Sequence, residues 1–180
     1  MAQRQESLFV YPPMEKDADF SPCRKYRYAL WRIWGRITGY AMFIGLNPST
    51  ADETDDDPTI KRCIAYAKDW GYSGLCMTNL FAYRATKPKD MKAAADPIGP
   101  DNDQWLRDAG SQASIIIAAW GCDGSYLDRD KAVREMFPTL HYLRLTNKQP
   151  WHPLYLPKDL KPTLWNGPLQ PPELPTQESE

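Results

Sequence analysis

The run Ile115-Ile116-Ile117-Ala118-Ala119 constrains the fold more than any other stretch of the chain. It is of strand length, carries no charge, and is bounded by Ser114 and Trp120-Gly121. A strand so uniformly apolar must be covered on both faces, as in the centre of a parallel sheet with helices on each side. Three further apolar runs, at 40–46, 75–80 and 140–145, also end on polar or turn-forming residues. Between them lie helical patterns. At 58–70, Ile60, Ile64 and Ala67 make an apolar stripe with Cys63, and Asp57 before Pro58 reads as an N-cap with proline in the first turn. Residues 101–113 and 126–137 complete the set, the last with Val133, Met136 and Phe137 inward and Arg129, Lys131 and Arg134 outward. Strand and helix alternate, which predicts an α/β fold: three layers, α/β/α, around a central, mostly parallel four-stranded sheet. Tyr26, Tyr28 and Leu30 alternate with Arg27 and Ala29 and suggest an additional N-terminal edge strand with a basic side.

At 180 residues and 42% hydrophobic content the chain suits one domain, expected over residues 23–166. Residues 1–22, with Pro12-Pro13, read as an irregular arm, and the proline- and glutamate-rich residues 167–180 as a disordered tail. No apolar run approaches a membrane span, and the first residues lack a signal-peptide centre, so a cytoplasmic protein with no membrane partner is expected. The cysteines Cys23, Cys63, Cys76 and Cys122 form no CxxC and read as buried thiols. Charge is unevenly spread. Arg24, Lys25, Arg27, Arg32 and Arg36 form a basic stretch suited to phosphates, whereas Asp52, Glu53, Asp55, Asp56 and Asp57 crowd a loop that would repel a nucleic-acid backbone.

In an open parallel sheet the loops after the strands meet at the carboxyl edge. Residues 47–50, 78–84, 120–123 and 148–154 therefore share one expected cleft. It would hold Asn47, Ser49, Thr50, Asn79, His152 and one of the cations Arg84 and Lys148. No phosphate-binding GxxxxGK[ST] loop occurs, and no Ser-His-Asp set is evident. Asp52, Asp55, Asp56 and Asp57 could hold a divalent ion for hydrolysis of a nucleotide phosphate, but a solvated loop with one helix cap is the commoner arrangement. Neither metal nor cofactor is expected.

The string Gly45-Leu46-Asn47-Pro48-Ser49-Thr50-Ala51-Asp52, followed by Asp57-Pro58-Thr59-Ile60, Trp70-Gly71-Tyr72, Asn79-Leu80-Phe81, Trp120-Gly121 and His152-Pro153-Leu154-Tyr155, resembles a bacterial and phage family of domains of unknown function. The likeness covers roughly residues 23–160. More distantly, the same order of motifs resembles the uracil-DNA glycosylase superfamily. Gly45-Leu46-Asn47-Pro48-Ser49 is similar to its Gly-x-Asn-Pro-Gly water-activating loop, with Ser49 in place of glycine. Met77-Thr78-Asn79-Leu80 resembles the strand whose asparagine reads the flipped base, and Ile117-Ala118-Ala119-Trp120-Gly121 resembles the core strand ending in Trp-Gly. His152-Pro153-Leu154 is similar to the His-Pro-Ser loop whose histidine faces the departing base, with Leu154 in place of serine.

The resemblance implies hydrolysis of the N-glycosidic bond of a damaged or modified pyrimidine, with nucleic acid or a nucleotide as partner. Oxocarbenium charge develops on the sugar and negative charge on the leaving base, so a water is needed on one side and a donor on the other. On that basis Asn47 would orient the water and His152 would donate to a base oxygen. Asn79 would read the pyrimidine edge, Phe81 or Tyr83 would stack on it, and Leu154 would wedge into the gap left by a flipped nucleotide. Ser49, Thr50, Arg84 and Lys148 are candidates for phosphate or loop contacts. An amide orients water without accepting its proton, so the alternative is a non-catalytic module of the same fold that binds a modified base or nucleotide.

Overall fold

The computed structural model describes residues 13–35, 39–49, 51 and 54–165. The chain is α/β, built on a seven-stranded mixed sheet. Its strands are β1 (Glu15–Phe20), β2 (Arg27–Ile33), β3 (Tyr40–Gly45), β4 (Gly74–Asn79), β5 (Ile115–Ala118), β6 (Leu140–Tyr142) and, after a small hairpin of β7 (Leu145–Thr146) and β8 (Gln149–Pro150), β9 (Thr163–Leu164). The order across the sheet is β1-β2-β4-β3-β5-β6-β9. This corrects the expectation of a four-stranded, mostly parallel sheet. The four expected strands lie together in the middle as parallel neighbours, while β1, β2 and β9 extend the sheet with antiparallel pairings.

The additions escape a hydrophobic pattern for physical reasons. β1, Glu-Lys-Asp-Ala-Asp-Phe, is a polar strand lying within the stretch expected to be an irregular arm. It also takes the edge position foreseen for β2, which lies one place further in. β9 is only two residues long. Residues 1–12 and the expected tail, 167–180, lie outside the described residues.

Alternate side chains of the central strands feed two apolar cores, as the two-residue period of a strand requires. Met42, Ile44, Ile116 and Ala118 enter one with Leu106, Ala109 and Val133. Ala41, Phe43 and Ile117 enter the other with Ile60, Cys63, Ile64 and Ala67. The helices supplying these residues are α1 (Pro58–Asp69), α3 (Asn102–Gln112) and α4 (Arg129–Met136), with the short α2 (Pro88–Lys92) preceding α3. Phe43 stacks on Trp70 at 5.7 Å between ring centres, which fixes α1 against β3.

The third helix starts later than its pattern suggests. Cys122–Asp128 forms 3-10 turns broken by an extended Tyr126 and by Leu127 at φ 55, and α4 begins at Arg129. Gly124 lets these turns lie against the buried Trp120 ring, because a Cβ there would stand 2.0 Å from its Cδ1.

Arg36, Asp52 and Glu53 lie outside the described residues, but the rest of the basic stretch and of the acidic loop meet each other. Arg32, fully buried in β2, donates from Nε to Asp56 at 2.7 Å, and Lys16 of β1 lies 3.3 Å from the same carboxylate. The Arg27 guanidinium donates to the Ala51 carbonyl. A buried guanidinium is tolerable only when paired, so these contacts clamp the loop before α1 onto β1 and β2.

Candidate functional site

Asp57 caps α1 by accepting the Ile60 amide at 2.9 Å, and its other oxygen accepts the Ser49 hydroxyl at 3.0 Å. The loop after β3 is thus tied to the start of α1. It is tied equally to the loop after β4, through Leu80 N to Gly45 O at 2.9 Å, Phe81 N to Leu46 O at 2.9 Å and Ala85 N to Pro48 O at 3.0 Å. The Asn47 amide joins this zipper, its Nδ2 donating to Ala85 O at 2.7 Å and Pro48 O at 3.1 Å. Both partners are carbonyl oxygens, so Oδ1 is the end of the side chain with acceptor capacity left for a water.

Asn79 ends β4 opposite Gly45 in the parallel register. A Cβ on Gly45 would approach Asn79 Oδ1 to 2.9 Å and Met77 Cε to 2.7 Å, so the glycine makes room for the Asn79 side chain to cross β3. Asn79 is 2% exposed, and its Nδ2 has no hydrogen-bond partner. Its backbone is held from behind. Asn102 Nδ2 donates to the carbonyls of Asn79 and Leu80 at 3.1 and 3.0 Å, and Arg129 Nε donates to Leu80 O at 3.0 Å while its guanidinium also pairs with Asp103.

His152 arrives from the other side. The β7–β8 hairpin turns through Asn147 and Lys148, both at positive φ, and hangs on the loop after β5. Gly121 N bonds Pro150 O at 2.9 Å, and Trp120 Nε1 bonds Gln149 Oε1 at 2.8 Å. His152 then caps the 3-10 turn Pro153–Tyr155, with Nδ1 accepting from Leu154 N at 3.4 Å. In the neutral ring the proton therefore sits on Nε2. Burial pushes the His152 pKa below the ordinary histidine value, and the nearby Asp57 charge opposes that shift without cancelling it. At neutral pH His152 is thus an uncharged Nε2–H donor.

These groups line one cleft of about 450 Å³ at the carboxyl ends of β3, β4 and β5. Asn47, Ser49, Asn79, His152 and Leu154 all border it, as do Asp57, Trp120 and Tyr155. Thr50 lies outside the described residues. Phe81, proposed for stacking, is fully buried and packs on Tyr126 at 5.7 Å, away from the cleft. Tyr83 and Arg84 instead border an adjoining shallow groove of about 470 Å³ with Arg24, Lys25 and Ser49. Lys148 sits exposed at the hairpin turn and borders neither cavity.

Among the described residues no three His, Cys, Asp or Glu side chains gather as a metal site. Of the four cysteines, Cys63 and Cys76 are buried while Cys23 and Cys122 are exposed, which corrects the expectation of four buried thiols. No helix among the described residues is long and apolar enough to cross a membrane. Two contributors had no marked sequence signal: Asn102 and Arg129 look like an ordinary helix start and an outward helix position. Tyr155, 73% exposed at the cleft rim, belonged to the histidine string but had no role assigned to it.

No curated protein and no solved structure matches the chain. One family model does, over residues 27–154, which span the strand β2, the central strands, the cleft loops and the histidine turn. The chain belongs to the family described as "Protein of unknown function (DUF1643)".

Proposed function

We propose that the protein binds a pyrimidine base in this cleft and hydrolyses the N-glycosidic bond of a damaged or modified nucleotide. One observation carries the reading: Asn79, whose buried amide donor has no partner, lines the same cleft as Asn47 and His152. An unmet buried donor costs about 1–3 kcal/mol, a cost that is recovered when a ligand supplies an acceptor. A pyrimidine edge does so, and the Asn79 Oδ1 then accepts from the ring N–H.

The roles follow from the chemistry. His152 Nε2–H donates to a base oxygen as negative charge grows there, and a neutral imidazole does so without first needing a proton. Asn47 Oδ1 orients the attacking water. Leu154 and Tyr155, at the mouth, support the vacated position of an extruded nucleotide. The groove bordered by Arg24, Lys25 and Arg84 suits the flanking phosphates. Asp56, one of the five acids expected to repel a backbone, is paired with Arg32 and Lys16. The parallel block β4-β3-β5-β6 with helices against both faces agrees with the three-layer glycosylase architecture, and the cleft volume lies within the roughly 300–1,000 Å³ of small-molecule pockets.

The test is incubation with oligonucleotides carrying uracil, mismatched thymine or modified pyrimidines, followed by alkali. Strand scission at the target base is expected, and its absence on all of them overturns the reading. A second reading, a binding module without catalysis, is favoured by the Asn47 amide, which cannot accept a proton. Binding without product, lost in Asn79→Ala, would establish it.

A further inference from the structure

Hydrolysis requires a proton acceptor for the attacking water, and Asn47 is not one. Among the described residues two carboxylates border the cleft, Asp57 and Asp123. Asp123 is engaged by Lys92 at 2.7 Å and sits 46% exposed at the side chain, so its charge is neutralised at the rim. Among the described residues Asp57 has neutral hydrogen-bond partners: Ile60 N on one oxygen and the Ser49 hydroxyl on the other. Each carboxylate oxygen has two lone-pair directions, so both retain acceptor capacity. Ser49 stands two residues after Asn47, and its bond to Asp57 brings the water-orienting amide and the carboxylate onto one closed loop.

We infer that Asp57 is the general base of the cleft and His152 its partner on the leaving-group side. The inference rests on the glycosidase reading above and goes beyond it by supplying the acceptor that the Asn47 loop lacks. In the step, a water held by Asn47 Oδ1 adds its oxygen to the anomeric carbon and gives a proton to the Asp57 carboxylate. The carbon–nitrogen bond breaks, and its electron pair leaves with the base, stabilised by His152 Nε2–H and the Asn79 amide. The departing base takes up one proton and the Asp57 carboxyl releases one, so that water and N-glycoside yield free base and a hydroxylated sugar. Asp57 and His152 line the same cleft.

Asp57 also caps α1, and the substitution must separate the two roles. Asn and Ser cap helices about as well as Asp, accepting the same amide. Asp57→Asn and Asp57→Ser should therefore keep the wild-type melting temperature while cleavage falls about 100-fold or more, the lower range for loss of a general base. Cleavage by folded Asp57→Asn within about threefold of wild type overturns the inference and leaves the glycosidase reading standing. A wild-type protein that cleaves none of the oligonucleotides overturns both. A further readout needs no activity: in Asp57→Asn the His152 ring should titrate at lower pH by NMR. An unchanged midpoint overturns the pairing of the two groups.

Discussion

The two walls of the cleft are built differently. On the Asn79 side, two parallel strands end in register, their loops are zippered by backbone bonds, and two buried side chains from α3 and α4 clamp the turn from behind. On the His152 side, a six-residue hairpin with two left-handed residues at its turn hangs from the Trp120-Gly121 loop, and the aromatic beyond the histidine stands in solvent. The first wall suits reading a flat edge, where tenths of an ångström matter. The second suits a group that must admit a ligand and then settle against it.

Each wall can be broken separately, and Asn102 offers the largest effect. Asn102→Ala strips the Asn79 and Leu80 carbonyls of a buried donor, with an expected loss of about 2–4 kcal/mol in urea unfolding and weakened base binding. Gly45→Ala drives a methyl into Asn79 Oδ1 and Met77 Cε. A cost of about 1–3 kcal/mol is expected, with ligand affinity falling more than stability if the Asn79 amide reads the base as proposed. Calorimetry with a pyrimidine nucleoside separates the two effects.

The histidine wall should respond to pH. Burial holds the folded His152 pKa below its unfolded value, so the unfolded chain binds the proton first as pH falls. The stability present above about pH 6.5 should decline below it and level off once the folded ring has also titrated. His152→Gln should flatten that decline in urea midpoints taken at several pH values. The smallest effect is expected at the hairpin turn: Lys148→Gly relieves a left-handed backbone at φ 62 and should stabilise the fold by roughly 0.5–1 kcal/mol, leaving the Asn79 wall unchanged.

Much of the frame was legible. The charge-free run at Ile115 and three similar runs located the parallel centre, Asp57-Pro58 located the start of α1, and the carboxyl-edge rule brought Asn47, Asn79 and His152 together. Side-chain direction after a strand was not legible. Phe81 follows Asn79 by two residues, and only the pairing of its loop with residues 45–48 turns the ring into the core. Charge partners distant in sequence were equally hidden: Arg32 and Asp56 look like opposing surface fields until the sheet order brings β2 beside the acidic loop. Asn102 gave no sign because an asparagine at a helix start already has a capping explanation.

β1 escaped the hydrophobic pattern because four of its six residues are charged, Glu15, Lys16, Asp17 and Asp19. That same composition has a use at the rim of the sheet. Among the described residues β1 forms one outer margin and the two-residue β9 the other. An outer strand presents unpaired amides and carbonyls on which a second chain can template itself, and charges or extreme shortness discourage such pairing. The strand hardest to find in the sequence thus serves as a guard against aggregation.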